Sequence, residues 1–166
     1  MPFARFDDEG VVRSSFHVSE QPVSERSFVL FVYGTLLPDE PSHALLDGAR
    51  ALGSAKTPPE FHLVDIGPYP ALVAGGPTAV VGELYEVSAR TLAAIDVHEE
   101  VPILFKRRRI ALHDGRHAET YMLDDEQVRG RRRIRSGDWR GRFRPTPPPT
   151  SARNAPFVRW LRGRER

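Results

Sequence analysis

The chain has 166 residues, 40% apolar and 28% charged, a composition that suits one globular domain with a core and excludes a disordered chain. It contains no cysteine, which excludes disulfide staples, zinc-thiolate sites and thiol nucleophiles and fits a reducing cytoplasm. The formal charge is +2, but residues 141–166 hold seven arginines against one acidic residue, a net +6, and leave the rest at −4; the basicity belongs to an appendage and says little about the body.

Residues 1–26 mix charges, hold several serines and show no sustained periodicity, so they read as an N-terminal extension with one short strand expected over 11–18. Asp7, Asp8 and Glu9 interrupt the start, unlike a secretory signal peptide. Phe28-Val29-Leu30-Phe31-Val32-Tyr33 is the longest apolar run. It is too short to span a bilayer and suits a strand buried on both faces. A short helix is expected from Pro41, pre-set for a first helical turn, to Gly48. Strands are expected at 60–64 and 79–87. Ser88 is of N-cap type and opens a helix that buries Leu92 and Ile95. Strands follow at 105–112 and 117–123, joined through Asp114-Gly115, a hairpin turn pair. Beyond residue 140, Pro145, Pro147, Pro148, Pro149 and Pro156 make a stiff Pro/Arg-rich tail. Within it Phe157, Trp160 and Leu161 have the spacing of one apolar helical turn. Strands outnumber helices and connections are short, which predicts an α+β domain with a closed or strongly curved sheet.

Two segments are suited to chemistry. In Tyr33-Gly34-Thr35-Leu36-Leu37-Pro38 a buried strand ends and the chain turns at a glycine. Gly34 has no Cβ and lets ligand atoms approach the backbone closely. Amides leaving the strand lack ladder partners and can form a nest for a carboxylate or an oxyanion. The same residues also fit a plain strand-to-loop turn with Tyr33 as a core aromatic. In Ile95-Asp96-Val97-His98-Glu99-Glu100-Val101-Pro102 a helix ends. An acid set among Val97, Val101, Ile103, Leu104 and Phe105 has its charged form disfavoured, which moves its pKa towards that of a general base. The stretch also fits a solvated acidic turn. Asp96 is expected to bond local backbone amides. His113 and His117 flank the hairpin turn without a third ligand, so no metal site is expected. Lys106-Arg107-Arg108-Arg109 and Arg131-Arg132-Arg133 each split across two strand faces. They lack the interleaved aromatic residues of a single-strand-binding surface. Neither a nucleic acid nor a membrane is expected as a partner.

These segments, in this order, resemble the γ-glutamylcyclotransferase / AIG2-like family. The resemblance rests on Tyr33-Gly34-Thr35-Leu36, Val81-Gly82-Glu83-Leu84-Tyr85, and Ile95-Asp96-Val97-His98-Glu99 followed by Pro102 and Phe105. The arginine-rich strand, Ala118-Glu119-Thr120-Tyr121 and Ser136-Gly137-Asp138-Trp139 add to it. It covers about residues 27–140, between the extension and the 141–166 tail. Isoleucine at 95 replaces the usual leucine, and Phe105 stands where several relatives have tyrosine.

The resemblance implies a small mixed-strand β-barrel with short peripheral helices. It implies release of an amine from a small-molecule γ-glutamyl amide, with closure of the glutamyl part to 5-oxoproline, and neither cofactor nor metal. The acid/base role falls on Glu99, with Glu100 and Glu83 as lesser alternatives. Substrate contacts would come from Tyr33 and the amides of Gly34, Thr35 and Leu36, and from the Tyr121 hydroxyl if its strand face points inward. Tyr69-Pro70-Ala71 would form the rim as a rigid turn, with the lining from 63 to 72 deciding which amine is accepted. One carboxylate suffices to take a proton from the α-ammonium and return it to the departing amine. Nucleophile and carbonyl share one molecule, so positioning is the main task. A second reading is a non-catalytic small-ligand module whose basic tail recruits a partner. Neither the amine released nor the oligomeric state is legible.

Overall fold

The structure, a computed structural model, describes residues 26–143. The strand expected over 11–18 and the apolar turn at 157–161 lie outside the described residues. Along the chain run β1 (Ser27–Val32), β2 (Arg50–Lys56), β3 (Phe61–Asp65), β4 (Pro70–Ala74), β5 (Val81–Ser88), α1 (Ala89–His98), β6 (Lys106–Ala111), β7 (His117–Met122) and β8 (Arg132–Arg133). The strands form one curled, half-barrel sheet in the order β2-β5-β1-β7-β4-β3-β8, with β6 paired to β7.

β1 is central because its residues are apolar on both faces. Leu30 and Val32 enter one core cluster; Phe31, with Tyr33 just beyond the strand, enters the other. A strand without alternation needs this two-sided cover. β5 pairs antiparallel with β1 from Ser27↔Ser88 to Val32↔Glu83. At Gly82 a Cβ would lie 2.2 Å from the Val32 carbonyl oxygen, so the close approach of these strands requires glycine there.

Three strands are absent from the sequence reading. β2 has an exposed, weakly patterned face and owes its form to pairing along β5. β4 is a five-residue run that opens with a proline. β8 has only two residues. The helix expected from Pro41 to Gly48 shrinks to a 3-10 turn, His43–Leu46, which buries only Leu46 and has no side-chain cap at Ser42. α1 forms as expected: the Ser88 hydroxyl accepts the Thr91 N–H at 3.1 Å, and Leu92 and Ile95 are buried. Among the described residues no helix is long and apolar enough to cross a membrane.

The sheet forks at β7. β6 takes one edge of β7 along its whole length. The other edge is shared by two parallel strands: β1 pairs near Glu119 and β4 near Met122. β1 must therefore part from β7 where β4 takes over, and the chain leaving β1 is Tyr33-Gly34-Thr35-Leu36.

Candidate active site

A fork leaves backbone groups without partners, and one side chain closes the gap. The Tyr33 hydroxyl donates to the Tyr121 carbonyl at 2.6 Å and accepts the Leu72 N–H at 3.1 Å. It thus bridges β7 and β4 where a peptide group would otherwise stand. Past this anchor the chain folds back on itself. The Leu37 N–H meets the Gly34 carbonyl at 2.9 Å, and the Ser42 N–H meets the Thr35 carbonyl at 3.0 Å. Among the described residues no acceptor meets the N–H groups of Gly34, Thr35 or Leu36. Three successive unpaired donors are what an anion site needs. The reason for glycine at 34 differs from expectation. A Cβ there would lie 2.6 Å from Cγ of Pro70, so the missing side chain makes room for the first residue of β4 and not for a ligand.

This turn forms one wall of a cavity of about 390 Å³. Tyr33, Gly34, Thr35, Leu36, Tyr69, Pro70, Glu99 and Tyr121 all line it, whereas Ala71, expected at the rim, is fully buried in the core and does not. The β3–β4 hairpin supplies Pro68, Tyr69 and Pro70; its turn is closed by the Ile66 N–H on the Tyr69 carbonyl at 3.1 Å. The Tyr69 ring meets the Phe105 ring at 5.9 Å between centroids. Phe105 is thus an apolar wall where a tyrosine would bring a hydroxyl. Pro41, Ser42, His98 and Leu104 also line the cavity, none of them expected from sequence as a site residue.

Glu99 reaches the cavity because α1 ends there. Its N–H still bonds the Ile95 carbonyl at 2.9 Å, while Glu100 takes φ +52 and breaks the helical path. Burial raises the Glu99 pKa from 4.5 to about 7: removing the carboxylate from water penalises its charged form. Its place at the negative end of a helix acts in the same direction. Glu100 is exposed and also lines the cavity. Glu83 lies outside it, bonded by the Tyr85 hydroxyl at 2.9 Å and by Arg140 at 3.3 Å.

Two of the three cavity tyrosines, Tyr33 and Tyr121, are committed elsewhere. The Tyr121 hydroxyl donates to Asp96 at 2.8 Å, and Arg107 donates to the other Asp96 oxygen at 2.5 Å. Arg107 also lies 3.6 Å from Glu119. The Asp96 carboxylate therefore ties α1 to β6 and β7, correcting the expectation that it bonds local amides. Burial raises both phenols well above their ordinary range, with the Asp96 bond adding to the effect at Tyr121. Neither exchanges protons near neutral pH. Tyr33 offers the cavity its ring and main chain, and Tyr121 keeps only acceptor capacity on its oxygen.

The model of the γ-glutamyl cyclotransferase, AIG2-like family matches residues 30–141. A Vibrio cholerae relative, provisionally named γ-glutamylcyclotransferase, is 41% identical over 111 residues, covering 67% of this chain and 94% of the relative. A γ-glutamylaminecyclotransferase of Bos taurus is 36% identical over 100 residues, covering 52% of this chain and 57% of the bovine protein. A crystal structure of an AIG2-like protein from Mus musculus aligns with a TM-score of 0.54 at 28% identity, covering 59% of this chain and 78% of that one.

Proposed function

Because the chain belongs to the γ-glutamyl cyclotransferase, AIG2-like family, we propose that it converts γ-glutamyl amides to 5-oxoproline and a free amine, with Glu99 as the acid/base. The observation behind this is the pairing, in one cavity, of a carboxyl tuned to about 7 with three unpaired backbone donors. The substrate's α-ammonium gives a proton to the Glu99 carboxylate. The freed amine attacks its own γ-carbonyl, and the oxygen of that carbonyl takes up negative charge. The resulting intermediate collapses as Glu99 returns the first proton to the departing nitrogen; the second proton of the ring nitrogen then passes through the regenerated Glu99 carboxylate to the released amine, which leaves as an ammonium ion. A base whose pKa sits near the working pH suits both transfers.

The donors at 34–36 suit either the substrate α-carboxylate or the developing oxyanion. Loss of one oxyanion donor lowers rate on the order of a hundredfold or more. Small amide substrates are also consistent with the bovine relative, whose name refers to γ-glutamylamines. The reading of a non-catalytic module calls for a solvent-facing Glu99, and no observation favours it. The test is mass-spectrometric detection of 5-oxoproline from a panel of γ-glutamyl amides. The wild type is expected to form it, and Glu99→Gln is expected to stay folded and lose this activity. An active Glu99→Gln would remove Glu99 from the mechanism.

A further inference from the structure

Two adjacent glutamates, Glu99 and Glu100, line one cavity where α1 ends. Successive helical residues point about 100° apart around the axis. Here Glu99 is the last capping residue of α1 and Glu100 takes φ +52, a conformation that few residues other than glycine adopt. The bend is held by the Glu100 carbonyl, which accepts the N–H of Ile103 at 2.7 Å and of Leu104 at 2.9 Å. Glu99 is thus partly buried and Glu100 exposed, and both residues line the cavity.

The rest of the lining has no positive counterpart. Neither lysine nor arginine lines the cavity. The arginines of adjoining segments are turned to acids: Arg107 to Asp96, Arg140 to Glu83, and Arg142, at 3.9 Å, to Glu40. The groups able to receive an anion are the N–H groups of Gly34, Thr35 and Leu36, with the Thr35 and Ser42 hydroxyls beside them. That is provision for one carboxylate. A γ-glutamyl substrate brings one of its own on the glutamyl part. If the departing amine is an amino acid, it brings a second, which finds no cation and meets Glu100.

We propose, resting on the cyclotransferase reading above, that Glu100 selects the amine released: the site takes γ-glutamyl amides whose amine part ends in a cation and turns away those ending in a carboxylate. Glu100 acts here on specificity, while Glu99 handles the proton.

The test uses the full chain and three γ-glutamyl amides of a butyl amine, alike except for a terminal ammonium, methyl or carboxylate. 5-Oxoproline release is measured at about pH 8, above the range in which free histidine titrates. At low salt kcat/KM is expected to fall from ammonium to methyl to carboxylate, by about tenfold or more between the ends. Raising the salt to about half molar is expected to compress that ratio several-fold, because Glu100 is exposed to screening ions. Glu100→Gln and Glu100→Asn should both bring the ratio towards one, and Glu100→Lys should reverse the order. Asparagine is included because it tolerates the left-handed backbone, so the charge can be removed without losing the bend. A wild type that processes the carboxylate and ammonium amides equally well overturns this proposal and leaves the cyclotransferase reading standing. So does a ratio unchanged in both neutral variants. If none of the three amides gives 5-oxoproline, the reading itself falls and takes this proposal with it.

Discussion

Replacing Glu99 by glutamine removes a titrating proton and changes shape very little, so its effect on stability reports the environment of the carboxyl. Burial raises that carboxyl from 4.5 to about 7. The folded protein therefore holds the proton more tightly than the unfolded chain does. The stabilisation this gives is fully present below about pH 4.5 and is lost as pH rises through about 7. The interval corresponds to about 3 kcal/mol. Glutamine cannot titrate, so its stability lacks this slope. Glu99→Gln is expected to match the wild type closely near pH 4.5, and to be the more stable protein by roughly 3 kcal/mol above about pH 8. For a domain of this size the difference is a Tm gap on the order of 10 °C. Urea or thermal unfolding of both proteins between about pH 4.5 and pH 8.5 measures it. His62, whose pKa is lowered by burial, is common to both proteins and cancels in the difference. A gap that does not change with pH would refute the reasoning, because it would mean that the carboxyl is not desolvated. The variant that gains stability is also the one expected to lose turnover, a trade common where a site holds a buried charge.

Further outcomes follow from the same geometry. The kcat/KM for 5-oxoproline release should rise with pH through about 7, since the unprotonated carboxylate takes the first proton; a profile flat from about pH 5 to 9 would contradict it. Tyr33→Phe removes the donor to the Tyr121 carbonyl and strands the Leu72 N–H, and is expected to lower stability by about 1–3 kcal/mol, read from denaturant midpoints. Gly34→Ala forces a Cβ against the Pro70 ring and is expected to lower stability by about 1–3 kcal/mol. Adding Pro70→Ala should restore part of that loss, and a double-mutant cycle showing strict additivity would argue against the clash.

The sequence revealed those parts of the molecule whose cause is local. The unbroken apolar run of β1, the Ser88 cap with Leu92 and Ile95 below it, and the hairpin at Asp114-Gly115 depend on neighbours in the chain. β2 and β4 depend on partners instead. β2 is mostly exposed and takes strand form by pairing with β5, while β4 opens on a proline and is too short to show a period. Tyr33 to Leu36 and Glu99 could be singled out because they sit where regular structure stops, at the exit of β1 and the end of α1. What each side chain does there was less accessible. The commitments of Tyr33 and Tyr121 rest on bonds 88 and 25 residues apart in sequence, and no local pattern encodes that reach. The role of Gly34 likewise depends on Pro70, which arrives from another strand.

The fork also bears on solubility. Parting two strands ordinarily bares a row of main-chain groups, a template on which a second molecule can add its own strand. Here the phenol of Tyr33 covers the carbonyl and the amide at the point of separation. A hollow can thus open within the sheet without offering neighbouring molecules a ragged border to zip onto.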